Sequence, residues 1–352
     1  MIGGAFLDDS AMYEPPGSEK LARISCESIL KFLGRLYSDD PQKSLPFEKV
    51  FDVLGVRLSV RQLGKTGHSL MKKPARLQKL SQLLTAVSAK GRITKDEAQV
   101  VCGVLNFAMN FCMGHALKVA MRAFAAISVK PTNVMPSELA KLCSWTSDVI
   151  ARLEPRTIPR AVELSPVLVF TDAAFEDQVA SWGGVVVDKI SGVRQVAGGI
   201  VPDELVKAWQ GFGIEQVITQ AQAFAALLAR RAFQTNFRKR RALFFFNNEA
   251  ARLATIKATS PSLSLLRMVH LFHMCAETDP ALTWVERVGT HTHTNIADLP
   301  SRGKTLEVAS LIGGEPTDVG HIVQQSVSAQ SFLPCQLYCA DVQCQLGNAT
   351  PT

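Results

Sequence analysis

No apolar stretch in the 352-residue chain approaches the ~18–20 residues of a membrane span. The Met1-Ile2-Gly3-Gly4 start also lacks the charged and apolar regions of a signal peptide. Neither membrane insertion nor secretion is expected, and the expected location is intracellular, in nucleus or cytoplasm. Cysteine is sparse and unpatterned, with eight in the whole chain. Cys26, Cys102, Cys112, Cys143 and Cys275 sit among helix-like apolar neighbours, where a reduced thiol is commonplace. Cys335, Cys339 and Cys344 have no histidine nearby, which is poor zinc geometry. No internal repeat is visible.

What is present is an ordinary globular composition, 47% hydrophobic and 20% charged, enough to bury a core in each of two or three domains. Lys and Arg number 38 against 31 Asp and Glu, giving a formal charge of +7. That excess suits a polyanionic partner.

Residues 19–37 carry apolar side chains at helical spacing and end in the turn-rich Ser38-Asp39-Asp40-Pro41. A β-like segment, 50–60, and a basic loop at Lys72-Lys73-Pro74 come next. Helical patterns then run over 76–89, 94–109, a stretch reaching 127, and 137–153, the second opening with capping-box spacing at Thr94 and Glu97. The proline-bearing segment 154–159 breaks the pattern and is the expected domain boundary. Beyond it, 167–170, 183–187 and 193–201 read as a three-stranded meander. A helix (218–233), a strand (243–246), two helices (250–257 and 263–277) and a last strand (282–288) follow. The order βββ-α-β-α-β predicts an α/β layer mixing antiparallel and parallel pairs in one five-stranded sheet. Residues 313–352 show little pattern and are expected to be loosely ordered.

Asp172 ends the first strand of the meander, where an open sheet presents side chains to a ligand crevice. Asn247 ends the strand after the helix in the same way, Gln222 lies on that helix, and Asp298 follows the last strand. Singly, each is readily a turn, cap or surface residue; as an ordered set they are candidates to converge on one sheet edge.

The segments VFTDAAFED, ITQAQAFAALLA, FFFNNEAARLATIKATSPS and WVERVGTHTHTNIADLPSR resemble the ribonuclease H-like domain of retroelement polyproteins, DIRS-like reverse transcriptases in particular. Upstream, Ala5-Phe6-Leu7-Asp8-Asp9 resembles the Asp-Asp turn of a reverse transcriptase palm. Phe51-Asp52-Val53-Leu54-Gly55 resembles the later palm strand that holds the primer, and GVLNFAMNFCMG the thumb and connection. The resemblance implies a partial palm (1–60), a helical thumb and connection (61–155), a ribonuclease H-like domain (160–305) and a poorly ordered tail (306–352). It implies Mg²⁺ as cofactor, with Asp8, Asp9, Asp172 and Asp298 as metal ligands, and Asp172, Gln222, Asn247 and Asp298 in the catalytic positions.

Departures from that family qualify the activity. Gln222 stands where the family has a glutamate and Asn247 where it has an aspartate, so two of four carboxylates are neutral amides. Each missing charge at ~4 Å is worth up to ~4 kcal/mol at an effective dielectric near ~20, whereas a tenfold rate change takes ~1.4. The second metal is expected to bind weakly or not at all. Glu215 and Glu249 are the nearest possible substitutes. Only seven residues precede Asp8, so the other palm carboxylate is expected to be missing and polymerisation by this chain alone is not expected. An upstream polymerase segment is a candidate partner.

His291 and His293 fall where some ribonuclease H enzymes carry a mobile-loop histidine, although exposed loop filler explains them as well. Lys72, Lys73, Arg230, Arg231, Arg238, Lys239, Arg240 and Arg241 are candidate phosphate contacts. Trp182, Trp209 and Trp284 read as core or edge packing rather than base-stacking platforms. The leading expectation is a retroelement-derived fragment whose ancestral hydrolysis of RNA in RNA–DNA hybrids is weak or lost. The alternatives are a non-catalytic hybrid-binding protein and a decayed copy without function.

Overall fold

A computed structural model describes residues 2–6, 9–13, 17–34, 47–53, 56–61, 68–110, 114–129, 135–158, 165–211, 216–238, 240–277, 282–289 and 294–328. Strands β1 (Ile2–Phe6) and β2 (Asp9–Tyr13) pair antiparallel, Phe6 opposite Asp9. Helix α1 (Glu19–Phe32) follows. Strands β3 (Val50–Val53), β4 (Val56–Ser59) and β5 (His68–Lys72) form an antiparallel sheet. Helices α2 (Pro74–Lys90), α3 (Lys95–Ala108), α4 (Lys118–Val129) and α5 (Pro136–Arg152) come next, with one 3₁₀ turn, Gly114–Leu117, before α4. Strand β6 (Arg156–Ile158) then returns to pair with β5, so part of the proline-bearing boundary segment belongs to this first sheet.

Local chemistry sets the helix ends. Pro74 and Pro136 occupy first-turn positions where no amide hydrogen is needed. Thr94 Oγ1 accepts from Glu97 N while Glu97 Oε2 accepts from Thr94 N, the reciprocal cap anticipated from spacing. Leu84, Val87, Val101, Leu105, Phe124, Leu142 and Val149 fill the core among these helices. Lys72 points into the same region. It is 1% exposed, donates to the Val104 carbonyl at 2.7 Å and lies over the Phe107 ring. Its expected role as a phosphate contact is therefore corrected: strand alternation at the end of β5 turns it inward.

The second unit begins with β7 (Val167–Glu176), β8 (Val179–Val187) and β9 (Arg194–Ile200). The β7–β8 connection is Asp177-Gln178 with both φ values positive, the two-residue geometry that matches strand twist. Helices α6 (Asp203–Gln210) and α7 (Ile218–Ala232), strand β10 (Arg241–Phe246), helices α8 (Glu249–Lys257) and α9 (Leu263–Met274), and strand β11 (Leu282–Arg287) follow. The described chain closes with α10 (Asp298–Ser301), α11 (Thr305–Ile312), β12 (Glu315–Pro316) and α12 (Gly320–Ser328).

The sheet order is β11-β10-β7-β8-β9-β12. The meander is antiparallel, while β10 pairs parallel with β7 and β11 with β10. This is the mixed α/β sheet that the sequence predicts, with one addition: β12 joins β9 as a short sixth strand. One face packs Trp182 and Phe244 against Trp209 of α6, Phe224 of α7 and Phe272 of α9. The other packs Val185 and Val196 against Ala297, Val308 and Ala309. The loosely ordered tail expected from 306 is corrected as far as 328, because Val308 and Ala309 enter the core and Val319, Ile322 and Val323 pack on the α7 side. Helices of eight and nine residues give too little periodicity to read. Cys335, Cys339 and Cys344 lie outside the described residues, as does Cys112.

Three histidines sit where the helical unit meets α9. His115 of the 3₁₀ turn packs edge-on against His273 at 5.2 Å, His270 lies 5.4 Å from the Trp145 ring, and His273 Nε2 bonds the Thr255 carbonyl. The ion pairs Arg152–Glu277 and Arg238–Glu154 flank them. Burial holds His270 down at about 4 and His273 at about 3, and burial, then Lys118 and Arg156, lower His115. Below the ordinary value of 6.5 the unfolded chain binds protons that these imidazoles refuse. Stability is then full above pH 6.5 and declines toward pH 4, by ~3 kcal/mol for His270. Thermal melts from pH 7.5 to 4.5 should show a falling midpoint, and His270→Phe with His273→Leu should flatten that slope.

Candidate functional site

The site is built on a flat spot in the sheet. Asp172 of β7 lies opposite Gly183 of β8, and Gly183 opposite Gly198 of β9. The backbone of α10 rests on this glycine pair. A Cβ at position 183 would come within 2.5 Å of Ser301 N and 2.6 Å of the Ala297 carbonyl, and one at 198 within 2.7 Å of the Pro300 carbonyl. Ser181 Oγ donates to the Ser301 carbonyl at 2.5 Å and fixes the seat. The first residue of α10 is Asp298, so the close approach delivers its carboxyl to Asp172.

The two carboxyls share a hydrogen bond, and Asn247, one residue past β10, donates from Nδ2 to Asp172 Oδ1. Asp172 is 3% exposed. Burial raises its pKa to about 7, and the Asp298 charge adds to the rise against the opposing hydrogen bonds from Ala173 N and Asn247. Asp172 is thus partly protonated near neutral pH. On the outer side Arg302, one turn along from Asp298, donates to Asp298 Oδ1 at 3.3 Å and to Glu176 Oε1 at 2.7 Å.

Gln222 reaches the opposite side of the same strand. Fully buried on α7, it donates from Nε2 to the Thr171 carbonyl and to Thr171 Oγ1, both at 3.1 Å, while its Oε1 is buried with no hydrogen-bond partner. Asn295 Nδ2 donates to the same carbonyl at 3.2 Å. The structure therefore brings Asp172, Asn247 and Asp298 into direct contact and sets Gln222 behind Thr171. Asn248, the neighbour of Asn247, does something else: its Oδ1 caps α8 by accepting from Ala251 N.

Among the described residues no group of three or more His, Cys, Asp or Glu gathers to hold a metal. The donor set fits one hard cation at Asp172 and Asp298, with the Asn247 amide beside it, and does not fit a pair of ions. Glu249 turns away to Arg252 at 2.8 Å. Glu215, His291, His293 and Lys239 lie outside the described residues, as does Asp8; Asp9 opens β2, its side chain outside the description.

The basic candidates are mostly spoken for. Arg230 is buried over the Phe272 ring and donates to the Phe272 carbonyl, and Arg231 donates to Ser326 Oγ. Arg238 pairs with Glu154 and Arg240 with Asp188. Lys73 Nζ stands 4.0 Å from Asp52. Thr171, Asn295 and Arg302 escaped the sequence reading. Arg302 stands four after Asp298, the spacing of one helical turn, whereas Asn295 precedes α10 and has no such signal.

No family model matches the chain, and no curated protein matches it. Among solved structures, the crystal structure of RNase H1 from the halophilic archaeon Halobacterium salinarum NRC-1 is similar over 42% of this chain and 98% of its own, at 15% identity and a TM-score of 0.30. A superposition that low carries no residue equivalence.

The glycine seat gives a direct test. Gly183→Ala should destabilise by about 1–3 kcal/mol in urea unfolding, the usual range for overpacking. Gly199→Ala, whose nearest neighbour would be Trp182 Nε1 at 3.7 Å, should be nearly neutral.

Proposed function

We propose that the second unit is a ribonuclease H-like domain of retroelement origin that binds RNA–DNA hybrids and hydrolyses them weakly or not at all. One observation carries this reading: Asp172 and Asp298 meet on one face of the sheet, and the third position beside them is an amide that donates a hydrogen bond. A carboxylate at 247 would repel Asp172 and draw a cation; Asn247 instead satisfies Asp172 from within the protein. Arg302 does the same for Asp298.

Mg²⁺ is the proposed cofactor, and held by Asp172 and Asp298 it would polarise the scissile phosphate and activate water. In this chain Asp172, whose pKa burial raises to about 7, would first have to lose its proton. Gln222 contributes a neutral oxygen behind Thr171 and no charge.

The upstream region supports a reverse transcriptase origin. Asp9 opens β2 opposite Phe6 of β1, and residues 51–53 lie on β3, which pairs with β4. On this reading residues 1–60 derive from a palm and 61–155 from thumb and connection, with an upstream polymerase segment as partner.

The unaltered chain should cleave an RNA–DNA hybrid at background rate in Mg²⁺. Asn247→Asp, the change that puts a third carboxylate beside Asp172 and Asp298, should give detectable Mg²⁺-dependent hydrolysis, and adding Asp172→Asn should abolish it. Hybrid binding, measured on the same preparations, should fall steeply between ~50 and ~200 mM salt. Strong cleavage by the unaltered chain, lost on Asp172→Asn, would refute the degenerate site.

A further inference from the structure

Helices α10 and α11 cover β8 and β9 but, among the described residues, no helix covers the same face over β10 and β11. Strand alternation puts Leu168 and Phe170 of β7, Leu243 and Phe245 of β10 and Trp284 of β11 on this face, in register. Phe170 and Phe245 stack at 4.6 Å and 11°. Trp284 ends the row on the sheet's edge strand and is 49% exposed. Trp182 and Trp209, by contrast, are buried.

Arg241 lies diagonal to Trp284, its guanidinium carbon 5.9 Å from the ring centroid. It is the odd member of its neighbourhood. Arg238, Arg240, Arg252 and Arg302 each hold a carboxylate, whereas Arg241 has no ion pair and no hydrogen-bond acceptor among the described residues, and its Nε is buried without a partner. A half-buried cation without an acceptor beside a half-exposed indole is suited to an anionic ligand with an aromatic part. Glu286, the next residue of β11 on this face, has Arg252 nearby.

We propose that Trp284 and Arg241 form a platform for single-stranded nucleic acid, one base stacking on the open face of the indole and the adjacent phosphate meeting the guanidinium. This rests on the nucleic-acid reading above and extends it to a strand that is not paired. The ladder places Trp284 level with Leu168, four residues before Asp172 and two strands across. At ~3.3 Å per residue and ~4.8 Å per strand, platform and site are separated by ~16 Å. A strand leaving a hybrid at Asp172 would span that distance within a few nucleotides.

The test uses the full chain and an oligothymidylate of about 15 nucleotides, within the range of single-strand site sizes. Binding should quench tryptophan emission, and Trp284→Phe should remove most of the quench with little loss of affinity. Trp284→Ala should weaken oligothymidylate binding by about 5- to 100-fold, the range for one stacked base, while RNA–DNA hybrid affinity changes less than about twofold. Arg241→Gln should reduce the slope of log affinity against log salt by about 0.7, one single-strand phosphate contact. An unchanged oligothymidylate affinity in folded Trp284→Ala overturns the platform and leaves the hybrid reading standing. A chain that binds hybrid but not oligothymidylate does the same, and one that binds neither removes both. Loss of self-association in Trp284→Ala at constant oligothymidylate affinity would assign the face to a second copy of the chain.

Discussion

The site depends on a steric permission. A helix backbone can lie directly on a β-sheet only where the sheet offers no Cβ, and paired Gly183 and Gly198 provide that opening. Because α10 is a single turn long, its position is set by the surface under it rather than by helix packing of its own. Its first side chain, Asp298, is placed by the same contact. The meander, the short helix and the carboxyl pair are therefore one construction, and a methyl group in the middle of it would disturb all three.

What the construction holds is a pair of acids made comfortable without a cation. Two carboxylates pressed together in a buried place must shed charge, bind a metal or acquire donors. This chain does the first and third: the Asp172 pKa is raised to about 7, Asn247 donates to one acid and Arg302 to the other. The amides at 222 and 247 are close in shape to glutamate and aspartate, so an exchange between acid and amide at either position alters charge far more than shape. Catalysis that relies on opposing charge is sensitive to such an exchange in a way that stability is not.

Much of the architecture was legible because it is written in periodicity and caps. The helices of residues 74–152, the capping box at Thr94 and the strand sequence of the α/β unit all have local signals. The convergence of Asp172, Asn247 and Asp298 could be anticipated from their order along the strands and helices, although Asp172 stands in mid-strand, β7 running on to Glu176, and not at the strand end the sequence suggested. Other features have no local signal. Lys72 looks like a surface base in Lys72-Lys73-Pro74, and only the face of β5 on which it falls decides that it is buried. Gln222 shares an element and a turn with its neighbours, but its partner is Thr171 across the strand. Trp284 reads as an ordinary edge residue until the Arg241 guanidinium proves to lie against its ring, with no ion pair of its own among the described residues. Each of these depends on which side of a strand a side chain faces and on what a distant segment brings to it.

Strand β6 bears on how the chain comes to fold at all. His68 of β5 pairs with Ile158, so the first sheet acquires its last strand only after the intervening helices are in place. On a ribosome releasing the chain from its N-terminus, β5 would wait with an unpaired edge through the synthesis of α2 to α5. Closing it is a long-range event of high contact order, and local helix formation precedes it. A nascent chain halted before residue 156 would carry a finished set of helices beside an open strand edge, the form in which a sheet is most prone to pair with another molecule.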